Sequence, residues 1–342
     1  NFWLMATTIC KIAEQLNIAP STVSRALKKP QLVSLETRDK VLQAAMKLGY
    51  LKQLRDNCAI ANIPEKNSLI GVIVADLSTT FANKIVKAIY DFLDENNYSA
   101  IVGSHYENSS IETKLLKQWS ALNLSGLILV PTQKFSQTLN NCYKSTPIVC
   151  VDRAFEDINC DCVTEDNQYG MEQAVEYLHK LGHQKIAVIS GCSSVFTFKQ
   201  RVEGALKADK NIEVIEIKGQ TYDELYMGSF EACNNLCIRK NFARPTAIIG
   251  ANNAITSGIL YALNLQKISL GSGMSVISYG DNHWCRFFPT PISVIVQPIE
   301  EIGRNACQIL LDKIEGKTSK VVRQALKPMF LPRASTCNLG SN

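Results

Sequence analysis

From Ser68 onward the chain alternates, twice over, between short runs of β-branched and aliphatic residues and longer stretches of helical periodicity. Strand-sized runs at 69–74, 100–103, 126–130 and 147–151 are interleaved with helical patterns at 81–96 and 111–122. A second series places strands at 185–190, 212–217, 247–250 and 274–278 among helices at 169–181, 198–207, 222–238 and 254–263. Near-continuous apolar strands joined by helices belong in parallel sheets covered on both faces. Two such series predict two similar α/β subdomains. Strands at 293–296 and 321–331, flanking a helix at 299–314, are expected to return between them. At 342 residues the chain is too long for one ordinary core, and the alternation leaves its opening segment unassigned.

That segment reads as three short helices. Thr7-Thr8 supply capping hydroxyls, and Ile9, Ile12, Ala13 and Leu16 form an apolar stripe. Pro20 opens a second helix to about Lys28, with Val23 and Leu27 inward. Ser34 caps a third at 35–48, which buries Val41, Ala45 and Leu48, and Gly49 is placed to end it. Helix, tight turn and helix within 7–28 satisfy the helix-turn-helix description. Charge supports it: residues 1–57 hold nine Lys/Arg against four Asp/Glu, so the whole +5 of the chain sits there. A small basic module on a neutral body is the footprint of a nucleic-acid reader, although a three-helix interaction module has the same outline. Ser21, Thr22 and Arg25 project from the second helix, and Arg25 suits bidentate contact with guanine in the major groove. Lys28, Lys29 and Lys52 are in reach of phosphates.

The motifs here are Ile12-Ala13, the run from Ser21 to Leu27, Val33-Ser34-x-x-Thr37-Arg38-x-x-Val41, and Leu48-Gly49-Tyr50. Together they resemble the head of the lactose/galactose-repressor family, nearest its cytidine- and gluconate-repressor branches. The resemblance puts Ser21 and Arg25 on base-reading positions and Thr22 and Ser24 beside phosphates. It completes the DNA-facing set with Thr8, Lys28, Lys29, Tyr50 and Ile60. It also implies a hinge helix that wedges a Leu pair into the minor groove. Two departures stand out. Ala19 replaces a capping Ser, and in the hinge Asp56 and Ala59 put an acid and a small side chain where DNA should be gripped, so that either Ile60 takes the wedge role or the hinge works differently.

The resemblance extends through Asp152-Arg153, Asp166-Asn167-x-x-Gly170, Gly182-His183-x-Lys185, Arg201-x-x-Gly204, Asn252-Asn253 and Gln297-Pro298. It implies a two-lobed, periplasmic-binding-protein-like core with parallel sheets, clamping a small polar effector (sugar, sugar acid or nucleoside) and forming a homodimer. The division expected is a helix-turn-helix head at 5–50, a hinge at 51–67 and a core at 68–336. Lobe 1 is placed at about 68–167 plus 298–322, and lobe 2 at about 168–297 plus 323–336. Ligands of open α/β sheets bind beyond the carboxyl ends of strands. The candidate effector residues are Phe81, Asp152, Arg153, Arg201, Asn252, Tyr279, Asp281 and Gln297. The pattern departs at Ala82, where an aromatic is usual, and at Asn253 and Gly280, where acids are usual; Asp281 is taken as a substitute for the second acid.

Other classes are weak. The four histidines assemble with no Gly-x-Ser-x-Gly, Walker or His-Glu-x-x-His pattern, so no enzyme is expected, and His183 reads as structural. Cys160-Asp161-Cys162 and Cys233…Cys237 lack zinc spacing, so the twelve cysteines are read as small hydrophobes and no metal or cofactor is expected. No run approaches membrane length, and Asn1–Leu4 lacks a basic n-region, so a cytoplasmic chain without a membrane partner is expected. The expectation is a repressor whose dimer reads a pseudo-palindromic operator in double-stranded DNA. A DNA-binding regulator answering to a protein partner through a vestigial pocket, or a solute-binding protein, are the alternatives.

Overall fold

The computed structural model describes residues 2–28, 32–48, 68–132, 139, 141, 143–153, 160–239 and 244–340. The chain divides into two compact units, Asn1–Lys66 and Asn67–Asn342.

In the first unit, α1 (Phe2–Leu16), α2 (Pro20–Lys28) and α3 (Leu35–Lys47) surround a small core of Ile12, Ala13, Val23, Ala26, Val41, Ala44 and Ala45. The α1–α2 turn passes through Asn17 in the left-handed region (φ 50°), which Asn tolerates better than most residues. The carbonyl of Ala19 accepts from the amides of Thr22 and Val23. Ser34 caps α3 as expected, its Oγ accepting from Thr37 N at 3.3 Å. One expectation fails: α1 begins at Phe2, so Thr7 and Thr8 lie inside the helix and do not cap it. Gly49 and the whole expected hinge, with Lys52, Asp56, Ala59 and Ile60, fall outside the described residues.

The second unit carries two six-stranded sheets. The first uses β1 (Leu69–Val74), β2 (Ser99–Ser104), β3 (Gly126–Leu129), β4 (Ile148–Val151), β5 (Asp161–Glu165) and β11 (Arg323–Leu326), in the order β11-β5-β4-β3-β1-β2. The second uses β6 (Ile186–Ser190), β7 (Glu213–Glu216), β8 (Ala247–Gly250), β9 (Ser275–Tyr279), β10 (Ser293–Val296) and β12 (Met329–Leu331), in the order β12-β10-β9-β8-β6-β7. All these pairings are parallel except β10–β12.

Helices cover both sheets. In the first lobe, α4 (Thr80–Glu95) and α11 (Ile299–Ile314) pack Ile85, Ile89, Ile302 and Leu310 on one sheet face, while α5 (Ser109–Trp119) brings Leu116 and Trp119 to the other. In the second lobe, α6 (Asn167–Lys180) and α7 (Phe196–Ala208) cover one face, and α8 (Tyr222–Cys237) and α9 (Asn253–Leu265) the other. Gly204 lets α7 lie directly on α6, since a Cβ there would sit 2.4 Å from the carbonyl oxygen of Gln168. A short α10 (His283–Phe287) follows β9.

The chain crosses between lobes three times: at β5–α6, at β10–α11 and at β11–β12. This moves the expected cut at 322/323. β11 pairs with β5 through Arg323↔Cys162 and belongs to the first sheet, so the third crossing falls after Leu326. Lys327-Pro328 makes that crossing, and the Pro interrupts what reads in the sequence as one strand at 321–331.

Candidate functional site

On α2 the side chains sort by face. Val23 and Ala26 are buried, Thr22 and Ser24 are half-buried, and Ser21 and Arg25 are exposed. The nine-residue helix thus spends its apolar positions on α1 and α3 and presents a hydroxyl and a guanidinium outward. Among the other expected DNA contacts, Lys29, Tyr50 and Ile60 lie outside the described residues. Thr8 and Lys28 fall in α1 and α2, with their side chains likewise outside the description.

The second unit holds a cleft of about 390 Å³ between its lobes. Seven of the eight expected effector residues line it: Phe81, Asp152, Arg153, Arg201, Asn252, Tyr279 and Gln297. Phe81 enters at the start of α4, whose cap is Thr79, with Oγ1 accepting from Ala82 N at 3.2 Å. Ala82 itself turns into the first-lobe core and does not line the cleft.

Asp152 follows β4 in a left-handed conformation (φ 68°), a strain on the order of 1–3 kcal/mol for a non-glycine residue, held by its amide bond to the carbonyl of Val163. Burial raises the pKa of its carboxyl, with Arg153 and Arg201 pulling the other way. Arg153 is largely committed to the protein. Its Nη1 donates to Glu107 Oε2 at 2.8 Å and to Pro131 O at 3.1 Å, its Nη2 donates to Glu107 Oε1, and its buried Nε, 3.6 Å from Asp152 Oδ2, has no hydrogen-bond partner among the described residues. Burial works against ionisation of Glu107, but the hydrogen bonds and charge of Arg153 hold its pKa below the ordinary value.

Arg201 is held in the same way from the second lobe. Nε donates to Asn167 Oδ1 at 2.8 Å, Nη1 donates to Ala251 O at 2.7 Å, and the guanidinium carbon lies 3.7 Å from the centre of the Tyr279 ring. Behind it sits Glu165, a buried carboxylate at the first crossing. Glu165 accepts from the Tyr279 hydroxyl at 2.8 Å and from Gln297 Nε2 at 2.8 Å, and lies 3.7 Å from Arg201 Nη2. Burial raises its pKa, and the charge of Arg201 with the bonds from Gln297 and Tyr279 only partly offsets that. One carboxylate of the first sheet thus gathers three cleft residues, one of them at a second crossing.

Asn252 caps α9, its Oδ1 accepting from Ile255 N at 2.8 Å, which leaves its amide nitrogen for the cleft. Asn253 and Gly280, read in the sequence as separate departures, are in contact. Gly280 has φ 100°, and a Cβ there would stand 2.8 Å from Asn253 Nδ2.

Asp281 corrects the expectation. It is absent from the cleft lining, because its carboxylate is consumed by Arg333 (Nη1 to Oδ1 and Nη2 to Oδ2, both 2.9 Å) and by Arg286 (Nη2 to Oδ2, 2.8 Å). Lys84 also reaches its carbonyl from the first lobe at 3.2 Å. Asp281 therefore fastens the β9–α10 loop, and no acid replaces Gly280. His183 is structural as expected, engaging Thr246 Oγ1 at 2.9 Å, Cys337 O and Ser275 Oγ.

The residues expected from sequence did not include Glu107, which hydrogen-bonds Arg153, or Glu165, whose carboxylate lies 3.7 Å from Arg201, or Phe198, Tyr222 and Trp284 in the lining. Glu165 was findable in principle, since it directly precedes Asp166-Asn167 at a strand end; nothing local marks Glu107, whose partner lies 46 residues away. Among the described residues no helix is long and apolar enough to cross a membrane.

Two family models match the chain. The model described as periplasmic binding proteins and sugar binding domain of LacI family covers residues 67–334, and that of bacterial regulatory proteins, lacI family, covers 8–53. The chain is 28% identical to a probable HTH-type transcriptional regulator, EndR, of Paenibacillus polymyxa, over 98% of this chain and all of that one. It is 26% identical to the ribose operon repressor of Escherichia coli K12, over 96% and 99% of the two chains. In fold it is similar to the Lac repressor dimer bound to operator and the anti-inducer ONPF, with a TM-score of 0.70 at 23% identity over 95% and 98% of the two chains.

Proposed function

The chain belongs to the LacI family of bacterial regulatory proteins, and on that premise we propose that it is a dimeric, operator-binding transcriptional repressor whose DNA affinity is set by a small polar effector in the interlobe cleft. The observation that carries the reading is the sorting of α2, with Val23 and Ala26 buried while Ser21 and Arg25 stand exposed on the basic unit. Arg25 reads guanine, Ser21 a neighbouring base edge, and Thr22 and Ser24 the flanking phosphates. Two heads on one dimer read two half-sites of a pseudo-palindrome.

In the cleft, Asp152 and the amides of Asn252 and Gln297 offer hydrogen bonds to hydroxyl groups, with Phe81 as an apolar wall. Both arginines already face protein carboxylates, Arg153 at Glu107 and Arg201 at Glu165. An anionic effector would have to compete with those partners, so a neutral polyhydroxylated ligand, a sugar or a nucleoside, suits the cleft better than a sugar acid. The cleft acts by binding alone, and no catalytic role is assigned to it.

Fluorescence anisotropy of the full chain against a duplex selected from a random library tests the DNA-reading role. The selected duplex is bound in preference to random duplex, with affinity falling as salt rises, and Arg25→Ala removes the preference. Absence of any sequence preference in the unsubstituted chain would overturn the proposal.

A further inference from the structure

Three cysteines spread over 150–162 meet on one face of the first sheet. The parallel register of β4 and β5 pairs Cys150 with Cys162, and Cys160, just before β5, brings its Sγ to 3.6 Å from that of Cys150. Arg323, the register partner of Cys162 on β11, adds a positive charge that acts on both Cys160 and Cys162. Burial divides the roles: Cys150 and Cys162 are buried, whereas Cys160 is partly exposed. A disulfide needs its sulfurs at about 2.05 Å, a closure of about 1.5 Å that side-chain rotation supplies.

We infer that Cys160 and Cys150 form a hydroperoxide-sensitive thiol pair. Arg323 bonds Cys162 and reaches Cys160 through its charge alone, so what selects Cys160 is its partial exposure and its sulfur contact with Cys150: the more exposed thiol ionises and attacks, and the buried thiol in contact with it resolves the product. The Cys160 thiolate attacks one oxygen of the hydroperoxide, breaking the O–O bond to give Cys160 sulfenic acid and releasing hydroxide or alkoxide, which takes up a proton. The Cys150 sulfur then displaces the sulfenic hydroxyl, its thiol proton leaving with that group as water. The sulfurs are oxidised to one disulfide, and the hydroperoxide is reduced. Electrostatics favours this order: the hydrogen bond from Cys150, then the charge of Arg323, lowers the pKa of Cys160 against its burial, while Cys150 is raised well above the ordinary thiol value. Cys150 lies two residues before the cleft residue Asp152 on β4, while Cys160 precedes the start of β5, the strand whose far end carries Glu165. Oxidation therefore ties β4, which leads into the cleft residues Asp152 and Arg153, to the segment entering β5.

The pair is tested on the full chain by exposure to hydrogen peroxide, alkylation with iodoacetamide and peptide mass analysis. Trypsin cuts at Arg153, which places Cys150 and Cys160 on separate peptides. The expected result is one cross-link between those peptides, loss of two alkylatable thiols and recovery with dithiothreitol. Cys162→Ser keeps the cross-link, Cys160→Ser abolishes it, and Cys150→Ser stalls at a dimedone-reactive Cys160. Cys237, lowered to about 7 by its hydrogen bond from Cys233, is the in-chain comparator: it alkylates readily without joining the cross-link. A cross-link that survives Cys160→Ser, or Cys150 and Cys160 both remaining alkylatable while Cys237 is oxidised, would overturn the inference.

Discussion

The amide of Asn253 fills the space that a side chain at Gly280 would need, with Nδ2 only 2.8 Å from the ideal Cβ position. Gly280 also holds φ 100°, a conformation open to glycine at little cost. Asn253 and Gly280 therefore form a single local arrangement, and the second lobe presents the amides of Asn252 and Asn253 to the cleft. Gly280→Ala is expected to destabilise the chain by about 2 kcal/mol, from backbone strain and the contact together. Adding Asn253→Ala relieves the contact but leaves the strain, so the double variant recovers part of the loss in urea denaturation. Strict additivity would show that the two positions do not interact.

The Glu107–Arg153 pair gives a second test. Removing Glu107 leaves a buried guanidinium with its principal partner gone, and breaking such a pair costs about 3–5 kcal/mol. Glu107→Ala should lower the denaturation midpoint sharply, whereas Glu107→Ala with Arg153→Met should restore much of it, since a neutral side chain of similar length needs no counter-charge. A double variant less stable than Glu107→Ala would contradict the pairing seen here.

Glu165 supplies a pH signature. Folding raises its pKa, so the native state binds more protons than the unfolded chain between the ordinary glutamate value and the raised one. Stability contributed by this group therefore falls as pH rises through that window and is recovered on acidification. Relative to Glu165→Gln, which does not titrate, the unsubstituted chain should gain thermal stability as pH is lowered from about 7.5 to about 5. Parallel curves for the two proteins would remove Glu165 from the titration.

On DNA, Lys29→Ala should weaken specific and random duplex alike and reduce the slope of log affinity against log salt by about 1, the signature of one lost phosphate contact. Affinity measured at three salt concentrations checks it. A change in sequence preference would instead make Lys29 a base reader.

Much of this was open to reading in the sequence, for reasons that differ by level. The two parallel sheets follow from strand-sized apolar runs separated by amphipathic helices, a pattern set by local side-chain spacing. The cleft residues at strand ends, such as Asp152 and Asn252, follow from the same order, because carboxyl ends of parallel strands share one side. Asp281 was misplaced because its two arginines are unrelated to it by any local pattern, and Arg333 lies 52 residues away. Glu107 and Glu165 escaped for the same reason: a buried acid is recognised by its partner, and partners come from tertiary structure. The boundary at β11 was missed because 321–331 reads as one continuous strand, and only the strand pairing shows that its halves part company at Lys327-Pro328.

The central claim is that cleft and head form one coupled device, and reciprocal binding tests it most directly. D-ribose, D-xylose, cytidine and D-gluconate are screened by thermal shift, and the most stabilising compound is then added to the operator anisotropy titration. The account predicts that a neutral compound stabilises, that it changes operator affinity by about 10-fold, that operator changes its affinity by the same factor, and that Asp152→Ala removes both effects. A stabilising ligand that leaves operator affinity unchanged, or a chain that reads its operator yet is stabilised by none of these compounds, would contradict it.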